Sequence, residues 1–250
     1  MLVTAALHKC LASVPSDRVA IIDSDEGSHV TYGEMWEQVH HLSCVLVRIG
    51  IRKGDRVILA LPNSILWVVG YLAIVKLGAV IVPIQPTAGR SEMKKIVAIV
   101  KPSFMLAAPS FLNRVLPIKG ISRTEPVAIS GRELMRRSGG PRVITIQSLM
   151  AQPIQGSQEH GPATKGGVGR RHTASILFTY RGLGRPLGAM LNHDNYLAAI
   201  KSYIATVGLH EGQRVLAALP FAHVYPLIGC LLAPLFSRAT VVITKHTSGA

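Results

Sequence analysis

The chain has 250 residues, of which 48% are hydrophobic and 16% charged; this composition excludes an intrinsically disordered protein, and the length allows one or two domains. Its formal net charge is +14, from 27 Lys and Arg against 13 Asp and Glu, which favours an anionic partner such as a nucleotide, CoA or an acidic lipid. The basic residues are dispersed and no long basic tract contains interleaved aromatic residues, so nucleic-acid binding is not expected.

Cysteine spacing and apolar run length narrow the class of protein further. Cys10, Cys44 and Cys230 are far apart and form no CxxC or Cys/His pattern; we therefore expect reduced thiols in a cytoplasmic protein, and no metal site. The longest charge-free apolar runs, 65–75 and 224–236, are shorter than the roughly 20 residues that cross a bilayer. They are predicted to be buried core, and peripheral membrane contact stays open. The N-terminus is typical of a short amphipathic helix, not of a signal peptide.

Strand and helix patterns alternate along the first 110 residues. Thr31 and Glu34 have capping-box spacing before a helix that ends near Gly50. A further helix is predicted to start after Asn63 or Ser64 and to end near 77, and Ser91 is predicted to cap another that ends near 100. The predicted strands are 19–23, 57–61, 79–83 and 104–107. This alternation predicts an α/β fold with a parallel sheet covered on both faces.

The pattern weakens after residue 109, where 143–146 is the one strand candidate before a Gly-, Pro- and Gln-rich stretch at 151–172. That stretch predicts a flexible linker or loop. We therefore expect a first α/β subdomain at 1–150, a linker at 151–172, and a phosphate-loop segment that starts a second subdomain at 173–250.

The chain is organised around residues 173–195, where an apolar strand leads into a loop with glycines at 182, 184 and 188. Backbone without side chains approaches an anion closely, and several amide N–H groups can converge on its oxygens. Arg181 and Arg185 add positive charge. The pattern predicts an anion-binding loop, with a glycine-rich surface turn as the alternative. Beyond it we predict a helix capped by Asn192 or Asp194 that ends near 207, strands at 214–220 and 240–244, and an apolar helix ending near 236.

The loop resembles the phosphate loop of the AMP-forming acyl-adenylate superfamily, which includes the acyl-CoA synthetases. The superfamily's loop runs Thr-Ser-Gly-Thr-Thr-Gly-x-Pro-Lys-Gly and is followed by Thr-His-x-Asn. The matching residues are Thr179, Gly184, Pro186, Gly188, Met190, His193 and Asn195. The residues that differ are Tyr180, Arg181, Gly182, Leu183 and Leu187. The loop thus lacks the usual hydroxyls and the lysine.

Two further segments carry the same resemblance. Residues 54–86 are similar to the first subdomain of acyl-CoA synthetases, and Leu219, Pro220 and His223 match a Leu-Pro-x-Phe-His signature. The resemblance implies the N-terminal part of the adenylate-forming large domain, with mostly parallel sheets and flanking helices. It also implies an incomplete domain, because the superfamily's later motifs for adenine, ribose and the C-terminal lysine have no counterpart in these residues.

The resemblance implies an ATP-dependent ligase that activates a carboxylic acid, such as a fatty acid, through an acyl-adenylate, with Mg²⁺ and with CoA as acceptor. It assigns His223 to the acyl and adenylate pocket and assigns no residue a catalytic role. The phosphate-binding residues that it implies are Thr179, Tyr180, Arg181, Gly182, Leu183, Gly184, Arg185 and Gly188. Because the loop has lost several donors, we expect weak or no adenylation by this chain alone.

Two functional hypotheses stay open, and a third is disfavoured. A second chain could supply the remaining half of the ligase, or the chain could be a non-catalytic remnant or interaction module from a truncated gene. A dinucleotide-binding oxidoreductase would need a third glycine at the position of Leu187 and an acidic residue at the end of the next strand.

Overall fold

The computed structural model describes residues 2–108, 110–111, 151, 169–179 and 186–244. Within them the strands are β1 Val19–Asp23, β2 Ser28–Thr31, β3 Arg56–Ala60, β4 Val80–Pro83, β5 Phe104–Ala107, β6 Thr173–Thr179, β7 Leu187–Asn192, β8 Arg214–Ala217 and β9 Thr240–Ile243. The helices are α1 Val3–Leu11, α2 Tyr32–Arg48, α3 Ile65–Lys76, α4 Arg90–Val100 and α5 His193–Val207. A last helical segment, α6, consists of Val224–Pro226, a π-helical stretch Leu227–Leu232, and Ala233–Phe236.

The described strands form two mostly parallel sheets. The larger sheet has the order β5-β3-β4-β6-β7 and the smaller has the order β2-β1-β9-β8. Only the β6–β7 and β1–β2 pairings among them are antiparallel. The predicted α/β class with mostly parallel sheets and flanking helices is therefore confirmed. The two antiparallel partners, β2 and β7, were not predicted as strands.

Both sheets combine strands from either side of the predicted linker. In the larger sheet β4 pairs with β6, and in the smaller sheet β1 pairs with β9. The division of the chain at 151–172 stays a prediction. The strand predicted at 143–146 lies outside the described residues.

Helix capping follows the sequence at three of the four predicted sites. The Thr31 hydroxyl accepts from the Glu34 N–H at 3.1 Å, and the Glu34 carboxylate accepts from the Thr31 N–H at 2.8 Å, which completes a capping box. Ser64 caps α3, and an Asn192 capping box starts α5. The predicted Ser91 cap is wrong, because α4 already begins at Arg90 and has no side-chain cap.

The apolar runs are largely buried, as predicted, except that Val224 and Tyr225 at the start of the second run are exposed. In α3 every residue from Trp67 to Val75 is buried, and the rings of Trp67 and Tyr71 stack with their centroids 5.3 Å apart. A second cluster lies under α4 and includes Ile58, Met93 and Phe111. Among the described helices, none has both the length and the hydropathy of a membrane span.

Candidate functional site

The carboxyl ends of strands from both sheets meet at one crevice. Two cavities of about 230 and 270 Å³ lie there and share the lining residues Gln85, Thr87 and Ala222. The segments that line them follow β3, β4, β8 and β9. The crevice beyond the carboxyl ends of parallel strands is the usual ligand site of open α/β sheets.

Hydrogen bonds fix His223 at the wall of this crevice. The Thr87 hydroxyl donates to Gln85 Oε1 at 3.2 Å, and the Gln85 amide in turn donates to His223 Nε2. This assigns the acceptor role to Nε2 and the proton of a neutral ring to Nδ1. His223 is exposed and directly precedes α6. The imidazole is therefore oriented but open to a ligand.

The strand that leads into the predicted phosphate loop reaches the same cavity. Phe178, the penultimate residue of β6, lines the 270 Å³ cavity together with His223. Thr179 pairs with Leu187 across the β6–β7 hairpin, and these two residues flank the predicted phosphate loop. The structure thus places the end of β6, through Phe178, at the same cavity as His223.

The predicted phosphate-binding residues have different placements. Thr179 is exposed at the end of β6. Gly188 lies in β7 opposite Phe178, and a Cβ there would come within 2.8 Å of Ile176 Cγ2. Close packing of the hairpin is therefore a sufficient reason for this glycine. The other predicted residues, Tyr180, Arg181, Gly182, Leu183, Gly184 and Arg185, lie outside the described residues.

Sequence reasoning missed Asn63, which joins the two sheets at the crevice. Its Nδ2 donates to the Leu219 carbonyl at 2.8 Å, and its Oδ1 accepts from the Phe221 N–H at 2.9 Å. These bonds hold the segment that carries His223 against the end of β3. Asn63 and Gln85 both follow a strand's carboxyl end, and that position is the signal by which both could have been found.

The loop's downstream residues, His193 and Asn195, have structural contacts away from the crevice. Asn195 completes the capping box of α5 with Asn192. His193 is buried, and its Nδ1 accepts from the Val3 N–H at 3.4 Å, while its Nε2 has no partner among the described residues. Burial lowers the pKa of His193 to about 4, with a smaller contribution from His172.

The polar groups of the crevice suit a nucleotide better than a bare metal ion. Asn63, Gln85, Thr87 and His223 offer donors and acceptors that can contact hydroxyls and phosphate oxygens, and Glu92 is the one carboxylate among the described residues that line the two cavities. Among the described residues no three His, Cys, Asp or Glu side chains cluster closely enough to hold a metal.

Comparison with known proteins identifies the family. The profile of the AMP-binding enzyme family matches residues 8–249. The chain belongs to the AMP-binding enzyme family. The predicted resemblance is therefore confirmed, over almost the whole chain.

Curated relatives of this AMP-binding family member include CoA ligases. A probable CoA ligase, CCL5, of Humulus lupulus is 27% identical over 228 residues, which cover 90% of this chain and 40% of that protein. The peroxisomal OPC-8:0-CoA ligase 1 of Arabidopsis thaliana is 27% identical over 227 residues, with the same coverage. The chain thus spans about 40% of the length of these relatives.

Solved structures support the fold of the AMP-binding family member. The anthranilate CoA ligase AuaEII in complex with anthranoyl-AMP superposes with a TM-score of 0.83 at 21% identity, over 100% of this chain and 45% of that chain. ATP-bound MatB from Rhodopseudomonas palustris gives a TM-score of 0.79 at 23% identity, over 98% of this chain and 45% of the other. The two superpositions show that this chain shares the fold of the matching part of both structures.

Proposed function

We propose that this chain forms the ATP-phosphate-binding part of an AMP-forming acid–thiol ligase and that, alone, it has little or no adenylation activity. One cavity supports this proposal, because it is lined both by Phe178, which lies just before the predicted phosphate loop, and by His223. Relatives named as CoA ligases, and a structural neighbour described as ATP-bound, agree with this class of reaction.

In this proposal the predicted phosphate loop holds the pyrophosphate end of ATP. Backbone N–H groups of the loop glycines and the two arginines would face the phosphate oxygens, with Mg²⁺ sharing the charge. When bound, ATP supplies the α-phosphate to which a carboxylate is joined. The loop residues assigned to phosphate are Thr179, Tyr180, Arg181, Gly182, Leu183, Gly184, Arg185 and Gly188.

His223 is assigned to the pocket for the acid and the adenylate. Its ring is oriented by Gln85 and is exposed toward the cavity. We assign it a role in lining or gating the pocket, because no carboxylate is hydrogen-bonded to it among the described residues. A carboxylic acid such as a fatty acid is the proposed substrate, with CoA as acceptor.

The low activity follows from the loop's substitutions. Leu183 and Leu187 stand where the superfamily has a threonine and a lysine, so a hydroxyl and a cation are lost. A hydrogen bond to a charged group contributes about 1.5–3 kcal/mol, and each 1.36 kcal/mol is about tenfold in rate. Since the chain spans about 40% of its relatives' length, we propose that a second chain supplies the rest of the site.

Pyrophosphate release is the test of this proposal. The chain is incubated with ATP, Mg²⁺ and a series of fatty and aryl carboxylic acids, alone and with candidate partner chains. We expect almost no release from the chain alone and acid-dependent release with the right partner. Release by the chain alone at the 1–10³ s⁻¹ typical of enzymes would contradict the low activity, and silence in every combination would contradict the ligase.

A non-catalytic AMP-binding module is the second candidate, and the exposed Leu187 favours it. Half of that side chain faces solvent at the mouth of the hairpin, where an apolar residue gives a phosphate no donor. ATP binding without pyrophosphate release in any combination would favour this module.

A cytoplasmic location also stays a proposal. Free thiols at all three cysteines agree with it, while one relative is named as peroxisomal.

A further inference from the structure

A large cavity lies away from the crevice, between α1, α2 and the end of α3. Its volume is about 650 Å³, which is within the range of about 300–1,000 Å³ that small-molecule sites have. Leu2, Ala5, Leu11, Val14 and Trp36 give it mostly apolar walls. Such walls favour a ligand with a sizeable apolar part.

This cavity and the crevice lie at opposite ends of the larger sheet. The helix α3 starts after the carboxyl end of β3 and ends before the amino end of β4, so Lys76, its last residue, marks the amino end of the sheet. At 1.5 Å per residue, α3 separates the two regions by about 18 Å. A ligand in this cavity is therefore distinct from the acid activated in the crevice.

Lys76 is a half-buried cation on the wall of this cavity. Its Nζ lies 2.9 Å from His40 Nδ1 and 5.7 Å from the centroid of the Trp36 ring. The ion pairs among the described residues all join an arginine to a carboxylate, and none includes Lys76. Burial lowers the pKa of Lys76. A partly desolvated cation without a carboxylate gains from an anionic ligand.

Thr4 also lines this cavity but does not present its hydroxyl to it. The residue is 1% exposed, and its Oγ1 is itself enclosed by protein atoms. A ligand in the cavity therefore does not reach this hydroxyl. Glu37, which is exposed, is the one carboxylate among the residues that line the cavity.

We propose that this cavity binds a free single-chain carboxylate, such as a medium-chain fatty acid, with the carboxylate against Lys76 and the apolar chain along α1 and Trp36. The lysine supplies charge to the carboxylate, and the apolar residues of the cavity wall bury the chain.

Binding of dodecanoate, below its micelle concentration and without nucleotide, tests the ligand class independently of the proposed function. Fluorescence of Trp36 reports binding, with Trp67, which is buried in the core, as a constant background. We expect saturable binding, at least about tenfold tighter than that of dodecanol, and none of dodecyltrimethylammonium. Absence of saturable binding, or binding of the alcohol or the cation as tight as that of the acid, overturns the proposal.

Substitutions test the position of the site. Lys76→Met is expected to weaken dodecanoate binding about tenfold or more and Lys76→Arg to retain it, since only the first removes the charge. Ala5→Phe fills the cavity with Lys76 intact and is expected to abolish binding. Lys94→Met, on the exposed face of α4, is the matched control. Thermal unfolding verifies that each variant folds, and unchanged affinity in either folded Lys76→Met or folded Ala5→Phe overturns the proposal.

Discussion

Leu187 stands at the loop position of the superfamily's lysine, and 52% of its side chain is exposed at the first residue of β7. A lysine there would meet no packing obstacle and would return a cation to the mouth of the hairpin. We therefore expect Leu187→Lys to tighten ATP binding about tenfold, the size of one hydrogen bond to a charged group. Equilibrium dialysis with labelled ATP measures the change.

The matched control for this substitution is Ile99→Lys. Ile99 is 56% exposed near the C-terminal end of α4, which precedes the amino end of β5, so the variant adds the same charge away from the hairpin and the crevice. An equal gain in ATP affinity from both variants would indicate a general effect of net charge, and it would contradict a phosphate site at the hairpin.

His193 makes the stability of the fold dependent on pH. Burial lowers its pKa to about 4 in the folded chain, against about 6.5 when unfolded, so the unfolded chain binds more protons below pH 6.5. Stability is therefore lost as the pH falls from about 6.5 to about 4, by on the order of 2–3 kcal/mol from this group.

Urea denaturation of the His193→Asn variant across that pH range measures this contribution. Asparagine retains an acceptor for the Val3 N–H but does not titrate, so the variant is expected to lose less stability on acidification than the parent. His210→Asn, at an exposed position, is the control and is expected to keep the parent's slope. Parallel slopes for the parent and His193→Asn would refute the assignment.

At the scale of elements, α5 and the π-helical part of α6 approach closely at Gly229. A Cβ on Gly229 would lie 2.8 Å from both Cζ and the hydroxyl of Tyr203, so either the ring or the π-helical backbone would have to shift. We expect Gly229→Ala to lower the free energy of unfolding by about 1–3 kcal/mol, the usual cost of overpacking. Chemical denaturation measures it.

Two companion variants define this contact. Gly89→Ala is the control, since no atom lies within 4 Å of a Cβ at that position, and it is expected to be nearly neutral. Tyr203→Leu, combined with Gly229→Ala, is expected to recover part of the lost stability relative to Tyr203→Leu alone. If the two substitutions were strictly additive, the close approach would not be the cause.

Elements with a capping signal or a buried apolar run were predictable from the sequence, and strands with few buried side chains were not. The Thr31–Glu34 capping box and the apolar α3 depend on residues a few positions apart, so the sequence predicted both. The strand β2 has only Val30 buried and is held by pairing with β1. The strand β7 is mostly exposed and is ordered by its hairpin with β6.

The sequence likewise predicted only part of the candidate site. His223 was found through a motif, whereas Asn63 was not, because its partners are 156 and 158 residues away. No short-range sequence pattern predicts a side chain that bridges two sheets. The position of Asn63 after the end of β3 carries the relevant signal only once the pairing of the two halves is known.

At the scale of the whole molecule, Asn63 couples the two sheets at the crevice. Asn63→Ala removes two hydrogen bonds to the segment before His223, so the free energy of unfolding is expected to fall by about 1–2 kcal/mol. Urea denaturation measures this loss, with Ser13→Ala at an exposed loop position as the control. A loss no larger than the control's would mean that Asn63 does not hold the sheets together.

The two sheets together create the crevice, and ATP-phosphate binding there is the central claim of the proposed function. Equilibrium dialysis of the chain against labelled ATP with Mg²⁺, in the presence and absence of pyrophosphate, tests it most directly. We predict saturable binding of ATP that pyrophosphate displaces, since both would occupy the loop between β6 and β7. No saturable binding at millimolar ATP, or binding that pyrophosphate leaves unchanged, would contradict the claim.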